Sequence, residues 1–219
     1  MSIKVIINTI SIWSIVLPLI LGSFLISRLS RDSLIVWGIV TLGAIPELLR
    51  VFISDCQFLH IAYNLYTPFE FIMLSLLYQN KFLDTLYINI FRISIRVYII
   101  ASMVLIGTFG IAHRFVNEWV CINNLIFTAW TLMFITEQFR KDSDMYINTR
   151  SPFFWYITAY FFYSPCTLLI YSLWHYIKKN HDSLLNNLWI IHNVFNIAMY
   201  VFFTIGFLKD RRRHISGRP

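Results

Sequence analysis

Charged residues are scarce in this chain of 219 residues. Asp, Glu, Lys and Arg make up 13% of the sequence, whereas 58% is hydrophobic and the mean hydropathy is +0.63. A water-soluble domain of this length would need much more charge on its surface. The shortage excludes an ordinary soluble domain and predicts an all-α, polytopic protein embedded in a lipid bilayer.

Cysteine is also rare, and several functional motifs are missing. The three cysteines fit no zinc-binding spacing and no dense disulfide framework. The last apolar segment has no lysine in its middle, where a retinal Schiff base would require one, and the chain contains no Pro-Gln dipeptide and no HxxxH pair. The motifs therefore predict no metal ligand, no cofactor and no catalytic residue.

Long apolar segments dominate what is present. Residues 5–25, 97–112 and 184–208 contain no charged side chain, and each exceeds or nearly matches the ~20 residues that cross ~30 Å of hydrocarbon. Short polar breaks predict a bundle of seven spans, near 3–27, 34–53, 58–78, 93–113, 118–138, 152–173 and 185–208. No gap between spans has room for a soluble domain, so we predict one transmembrane domain over residues 1–219, ending in a short basic tail over 209–219.

The basic residues predict the orientation of this bundle. Of the 18 Lys and Arg residues, thirteen fall in the first, third and fifth loops and the C-terminal tail, and the other five are Lys4, Arg50, Arg114, Lys178 and Lys179. The positive-inside rule then places the N-terminus outside and the C-terminus in the cytoplasm. The basic block at 209–213 indicates an anchor at an anionic inner leaflet rather than a nucleic-acid site. We expect the plasma membrane, as in a bacterial inner membrane, to be the location.

A weak internal repeat accompanies this layout. His60-x-x-x-Asn64 in the third predicted span is matched by His192-x-x-x-Asn196 in the seventh, and the second and sixth spans each contain a proline. The pattern predicts two parallel triplets of helices joined by the fourth span. Chance alignment of apolar helices with similar composition is the alternative explanation.

Polar side chains inside the predicted spans gather in the outer half of the membrane. Ionisable groups are costly in lipid and usually face the bundle interior or a wet cavity. Spans three and seven each carry such residues at helical spacing, which forms a stripe on one face. The candidate ligand-binding residues are Glu47, Arg50, His60, Asn64, Glu70, Asn124, His192 and Asn196. We expect both His-Asn pairs to face one shared, outward-open cavity, with Glu47 and Arg50 on its wall.

These residues favour a binding protein for a small polar or amphipathic molecule, either a receptor-like or sensor-like module or a small transporter. A sensor would need a separate signalling protein or a homo-oligomer, because the basic tail is too short for an enzyme domain. One alternative is an intramembrane hydrolase or transferase, with His60 or His192 as base and Glu70 or Glu47 as acid. Another is a ligand-free scaffold or assembly subunit whose polar groups serve only helix packing.

Two further features complete the prediction. The aromatic runs at 153–156 and 174–176 lie at predicted span ends, which indicates interfacial belts rather than ligand stacking. Cys56 and Cys121 both fall near the predicted outer surface. They would be able to pair if that side is oxidising and if they are adjacent, and free thiols are the alternative that we favour.

Overall fold

The computed structural model describes residues 3–53, 56–112, 114–141, 149–180 and 182–215. Almost all of these residues are in helices. A helix satisfies its backbone hydrogen bonds within one segment, as a hydrocarbon surrounding requires. The helices are α1 (Ile3–Ser14), α2 (Val16–Leu25), α3 (Arg31–Phe52), α4 (Cys56–Tyr78), α5 (Thr85–Phe109), α6 (Asn117–Lys141), α7 (Pro152–Asn180) and α8 (Asp182–Ile215), with a 3-10 turn at Ile26–Arg28.

Within these ranges, six helical stretches are long and apolar enough to cross a bilayer: Ile3–Arg28, Arg31–Phe52, Thr85–Phe109, Asn117–Arg140, Pro152–Trp174 and Asn187–Arg211. The chain is therefore a multi-pass helical membrane protein, as its composition predicts. Helix α4 is not among the six, although it has 23 residues. It carries the polar stripe of the third predicted span, and those side chains lower its hydropathy.

The first stretch is broken in the middle by a proline. Pro18 has no N–H to donate to the Ser14 carbonyl, and its ring crowds that carbonyl, so α1 ends at Ser14 and α2 begins at Val16. The Leu19 N–H donates to the Ile15 carbonyl at 3.2 Å and restores the helix one step later. The two helices therefore continue as one stretch through the bilayer.

Helix α5 begins earlier than the sequence predicts. The fourth span was expected near 93–113, but α5 runs from Thr85 to Phe109 because the Asp84 side chain accepts the Leu86 N–H at 2.8 Å and caps the helix. Arg92 and Arg96 lie exposed on the first half of α5 instead of in a loop. Long basic side chains can extend along a helix toward the polar interface, which explains their position there.

The α1–α2 stretch and the helices α3, α4, α6, α7 and α8 form a ring. Helix α3 packs on α4, α4 on α6, α6 on α7, and α7 on α8; α8 packs on α1 and α2, and α2 packs on α3. Helix α5 lies outside this ring against α6, and the Phe71 and Tyr98 rings stack between α4 and α5 with centroids 3.5 Å apart. Only 11% of the most apolar segment of α5 is buried inside the bundle. The ring leaves space for a site between its helices.

The two ends of the bundle differ. Helices α4, α6 and α8 begin at one end of the bundle, which we call the cavity end. The opposite end is called the closed end. The closed end is filled by fully buried aromatic and aliphatic side chains: Leu74, Leu77, Tyr78, Trp130, Tyr156, Phe203 and Phe207. The outer surface of the bundle is apolar, with side chains such as Phe24 and Met103 exposed by 82% and 68%. Lipid is the natural solvent for that surface.

Charged groups stabilise the loops of the closed end. Asp210 on α8 accepts the Ser30 N–H at 2.6 Å, at the start of α3, and Lys81 forms an ion pair with Asp32 at 2.6 Å. Glu137 on α6 is 2% exposed and accepts the N–H groups of Leu83 and Asp84 at 2.9 and 2.5 Å. Asp210 and Glu137 thus accept backbone N–H groups beside the starts of α3 and α5, where such groups lack partners, and Asp32 is paired with Lys81.

Candidate functional site

A cavity of about 560 Å³ lies inside the ring at the cavity end. Its walls come from residues 11–12 of α1, 43–50 of α3, 59–70 of α4, 117–124 of α6, 163–174 of α7 and 189–200 of α8, together with 114–115 in the loop between α5 and α6. A volume of ~300–1,000 Å³ is typical of sites for small molecules. The cavity therefore has the size of a ligand site and is open at one end of the bundle.

Seven of the eight candidate residues line this cavity. They come from α3, α4, α6 and α8, and the first and last of them, Glu47 and Asn196, are 149 positions apart in the sequence. The seven are Glu47, Arg50, His60, Glu70, Asn124, His192 and Asn196. The eighth, Asn64, does not belong to the lining.

Asn64 instead holds the loop between α5 and α6. Its amide nitrogen donates to the Ile111 and Arg114 carbonyls at 2.8 Å each, and its oxygen accepts the Val116 N–H at 3.0 Å. The side chain is 1% exposed. Its donors and acceptor are committed to the backbone, so we correct the expectation that Asn64 faces the cavity.

Glu47 and Arg50 occupy the wall near the cavity mouth. Both lie in the last two turns of α3, where Glu47 is half-buried and Arg50 is exposed. The Tyr63 hydroxyl lies beside the Glu47 carboxylate. Ion pairs that the structure records between described residues lie elsewhere, at Lys81–Asp32 and Arg114–Glu118. Glu47 and Arg50 are therefore neighbours in the cavity rather than a closed ion pair that fixes α3.

The two histidines line the cavity from different sides of the ring. His192 on α8 is 7% exposed, and its Nδ1 lies 3.4 Å from the Thr167 hydroxyl of α7. The Tyr163, Tyr171 and Trp189 rings surround it, with centroids 5.6, 6.0 and 5.1 Å from its own. His60 on α4 is different, because its buried Nδ1 has no hydrogen-bond partner in the described part of the chain.

Glu70 marks the inner end, or floor, of the cavity. Its carboxylate faces the Tyr160 hydroxyl at 3.4 Å and accepts the Asn123 amide N–H at 3.2 Å, and the Tyr66 hydroxyl lies beside it. Asn123 is 1% exposed, and its side-chain oxygen has no partner among the described residues. The floor thus holds a carboxylate and, next to it, a buried acceptor that no group in the described part of the chain satisfies.

Aromatic side chains line much of the remaining wall, and the sequence prediction missed most of them. Trp174, expected in an interfacial belt, lines the cavity with its ring centroid 5.7 Å from that of Trp189. The overlooked signal is on α7, where Tyr163, Thr167 and Tyr171 are spaced by four residues and Trp174 follows three later. This spacing places all four on one helical face.

Two asparagines of α8 serve both the cavity and the packing of α1. The Asn196 amide donates to the Ser11 hydroxyl at 3.0 Å, and the Asn193 amide lies 3.5 Å from the Asn8 side-chain oxygen. All of these except Asn8 also line the cavity. Asn8 thus faces Asn193 and Ser11 faces Asn196, so α1 runs parallel to α8.

Metal-ligating side chains do not cluster in the part of the chain described here: no group of three or more His, Cys, Asp or Glu residues is close enough to hold an ion. Cys121 and Cys166 are free thiols. The side chain of Cys56 lies outside the described residues, but a free Cys121 does not form the disulfide that the two positions would allow.

No family model, curated protein or solved structure matches this chain. The cavity and the residues that line it are therefore the features of the molecule that bear on its function.

Proposed function

We propose that this protein binds a small polar or amphipathic molecule in the cavity, from the outer side of the membrane. The observation that carries the proposal is the contrast between the ionisable side chains at the two ends of the bundle. At the closed end Asp32, Lys81, Glu137 and Asp210 all have partners. At the cavity end Glu47, Arg50, His60 and Glu70 line an open volume, and the His60 Nδ1 and the Asn123 oxygen have no partner among the described residues.

Packing alone does not account for this difference. Polar side chains in the interior of a membrane bundle normally bond to one another, because lipid offers no partner and an unpaired buried group costs free energy. The Asn123 oxygen and the His60 Nδ1 lack partners in the described ranges although both residues line the cavity. A ligand that donates or accepts hydrogen bonds would satisfy them, which favours a binding protein over a scaffold.

The proposed topology has seven spans, with α4 as the third. Helix α4 packs between α3 and α6 in the ring, and its 23 residues would extend about 34 Å at 1.5 Å per residue. Its polar stripe faces the cavity rather than lipid. The positive-inside rule then places the cavity end outside and the basic tail in the cytoplasm. A receptor-like or sensor-like module and an outward-open transporter both fit this arrangement.

Cysteine accessibility tests the proposal with a matched pair of isoleucines on α1. Ile12 lines the cavity, whereas Ile10 is 50% exposed on the apolar outer surface. In a variant with Cys56, Cys121 and Cys166 replaced by serine, we expect Ile12→Cys to react with a charged, membrane-impermeant methanethiosulfonate added outside cells. Ile10→Cys should stay unlabelled, because lipid excludes the charged reagent.

Two results would contradict the proposal. Equal protection of both cysteines would mean that the cavity is closed to water, and labelling of Ile12→Cys only from the cytoplasmic side would reverse the orientation. Once a ligand is known, flux into proteoliposomes would distinguish a transporter from a sensor.

A further inference from the structure

The floor of the cavity holds two neighbouring acceptors, the Glu70 carboxylate and the Asn123 side-chain oxygen. Glu70 lies fourteen residues after the start of α4, about 20 Å along the helix axis from the mouth. Its carboxylate has the Tyr66, Tyr160 and Asn123 donors, all of them neutral, and no ion pair of Glu70 with a basic side chain is recorded in the described ranges. A half-buried carboxylate deep in a membrane bundle is uncommon without a cation, because charges removed from water are normally paired.

The neighbouring amide points to the missing partner. Asn123 uses its N–H to bond Glu70, so its oxygen is left as a second acceptor beside the carboxylate, 1% exposed and without a donor. Both groups would be satisfied by the same kind of ligand atom, a nitrogen that carries more than one N–H. An anionic ligand group would bring a second negative charge next to the Glu70 carboxylate, which is unfavourable.

Tyrosine rings complete this arrangement. Tyr66, Tyr163 and Tyr200 line the same inner part of the cavity. The face of an aromatic ring attracts a cation, most strongly where water is excluded. The Glu70 carboxylate, the Asn123 oxygen and the tyrosine rings together form a site suited to a protonated amine.

The mouth does not impose the opposite charge. Arg50 there lies close to Glu47, and Arg114 is already bonded to Glu118 at 2.7 Å. Neither sign dominates the mouth, so the floor determines the charge of the group that reaches it.

We propose that the ligand of this cavity is a small organic amine whose ammonium group is held at the floor by Glu70 and the Asn123 oxygen, among the tyrosine rings. This inference rests on the proposed function and narrows it to one chemical class. A primary or secondary ammonium fits better than a quaternary one, because the two acceptors need N–H donors.

Binding of three probes of the same shape tests the inference on the full chain in lipid nanodiscs. The probes are phenethylamine, its neutral counterpart 2-phenylethanol, and 3-phenylpropionate. Trp174 and Trp189 line the cavity, so tryptophan fluorescence reports binding, and empty nanodiscs control for partitioning into lipid. We expect saturable binding of the amine, at least tenfold tighter than that of the alcohol, and weaker binding still of the carboxylate.

Two matched variants locate the amine. Glu70→Gln should weaken phenethylamine binding at least tenfold and leave 2-phenylethanol unchanged, whereas Glu47→Gln, the same change near the mouth, should weaken it much less. The trimethylammonium form of the amine, which has no N–H, should bind more weakly than the amine. The comparison of amine and alcohol needs no variant, so it decides the question even if Glu70→Gln does not fold.

The outcomes separate this inference from the proposed function. Equal affinity for amine and alcohol, tighter binding of the carboxylate, or amine binding that does not depend on Glu70 overturns the assignment of an ammonium site. If Ile12→Cys is nevertheless labelled from outside, the proposed binding cavity stands and only the ligand class is wrong.

Discussion

Gly206 gives the most direct test of the packing at the closed end. A Cβ built on this residue of α8 would collide with the Tyr156 ring of α7. Tyr156 cannot move away easily, because it is fully buried and packs edge-on against Phe203 and Phe207 with centroids 6.2 and 6.0 Å apart. Its hydroxyl is also hydrogen-bonded to Ser33 at 2.6 Å. Gly206→Ala therefore forces a shift on a fixed ring.

The expected loss of stability follows from three contributions. Overpacking of a tight interior costs about 1–3 kcal/mol, and loss of the Tyr156–Ser33 hydrogen bond costs about 1 kcal/mol more. Alanine regains about 1 kcal/mol over glycine through helix propensity. Gly206→Ala should therefore destabilise the folded protein by about 1–3 kcal/mol.

Gly107 is the matched control, since a Cβ there meets nothing within 4 Å. Gly107→Ala should be neutral or stabilise by up to about 1 kcal/mol. The free energy of unfolding of both variants would be measured by reversible unfolding in mixed detergent micelles, with tryptophan fluorescence as the signal. If Gly206→Ala proved as stable as Gly107→Ala, the close contact of α7 and α8 at the closed end would be refuted.

Three further changes test other parts of the molecule. Asn64→Leu leaves three backbone partners unsatisfied, at about 1 kcal/mol or more each, so its thermal midpoint should fall clearly; an unchanged midpoint would contradict its role in the loop. A Cβ on Gly43 would lie 3.2 Å from the Tyr66 ring, whereas one on Gly38 meets nothing closer than 3.8 Å. Gly43→Ala should therefore weaken phenethylamine binding severalfold and Gly38→Ala should not, and equal affinities would show that Tyr66 does not shape the site. A reporter active only in the cytoplasm should work after Pro219 and fail within 178–182, and the reverse pattern would invert the proposed topology.

Composition was enough to predict a helical membrane protein, because hydrocarbon permits few alternatives for an uncharged segment of ~20 residues. Helix ends were harder to predict. Arg92 and Arg96 suggested a loop, but the Asp84 cap starts α5 eight residues before the predicted boundary of 93. A local hydrogen bond decided the start of this helix, whereas the prediction relied on hydropathy averaged over many residues.

The site was predictable in part, since the cost of polar groups in lipid drives them to the interior whatever their role. Seven of the eight candidates line the cavity for this reason. The aromatic wall was missed because tyrosine and tryptophan are also common at membrane interfaces. Trp174 shows the difficulty, since only the packing of α7 against α8 turns its ring toward Trp189 rather than toward lipid.

His60 and Asn64 show why helical spacing cannot assign a role. They lie one turn apart on the same face of α4, and both point away from lipid as their polarity demands. Asn64 contacts the loop between α5 and α6, and its side-chain amide forms hydrogen bonds with two carbonyls and one N–H group of that loop. His60 lies one turn nearer the mouth, and its Nδ1 remains without a partner in the described residues. A polar stripe therefore identifies the inward face, but the backbone that happens to meet each residue decides whether it stabilises the fold or remains available to a ligand.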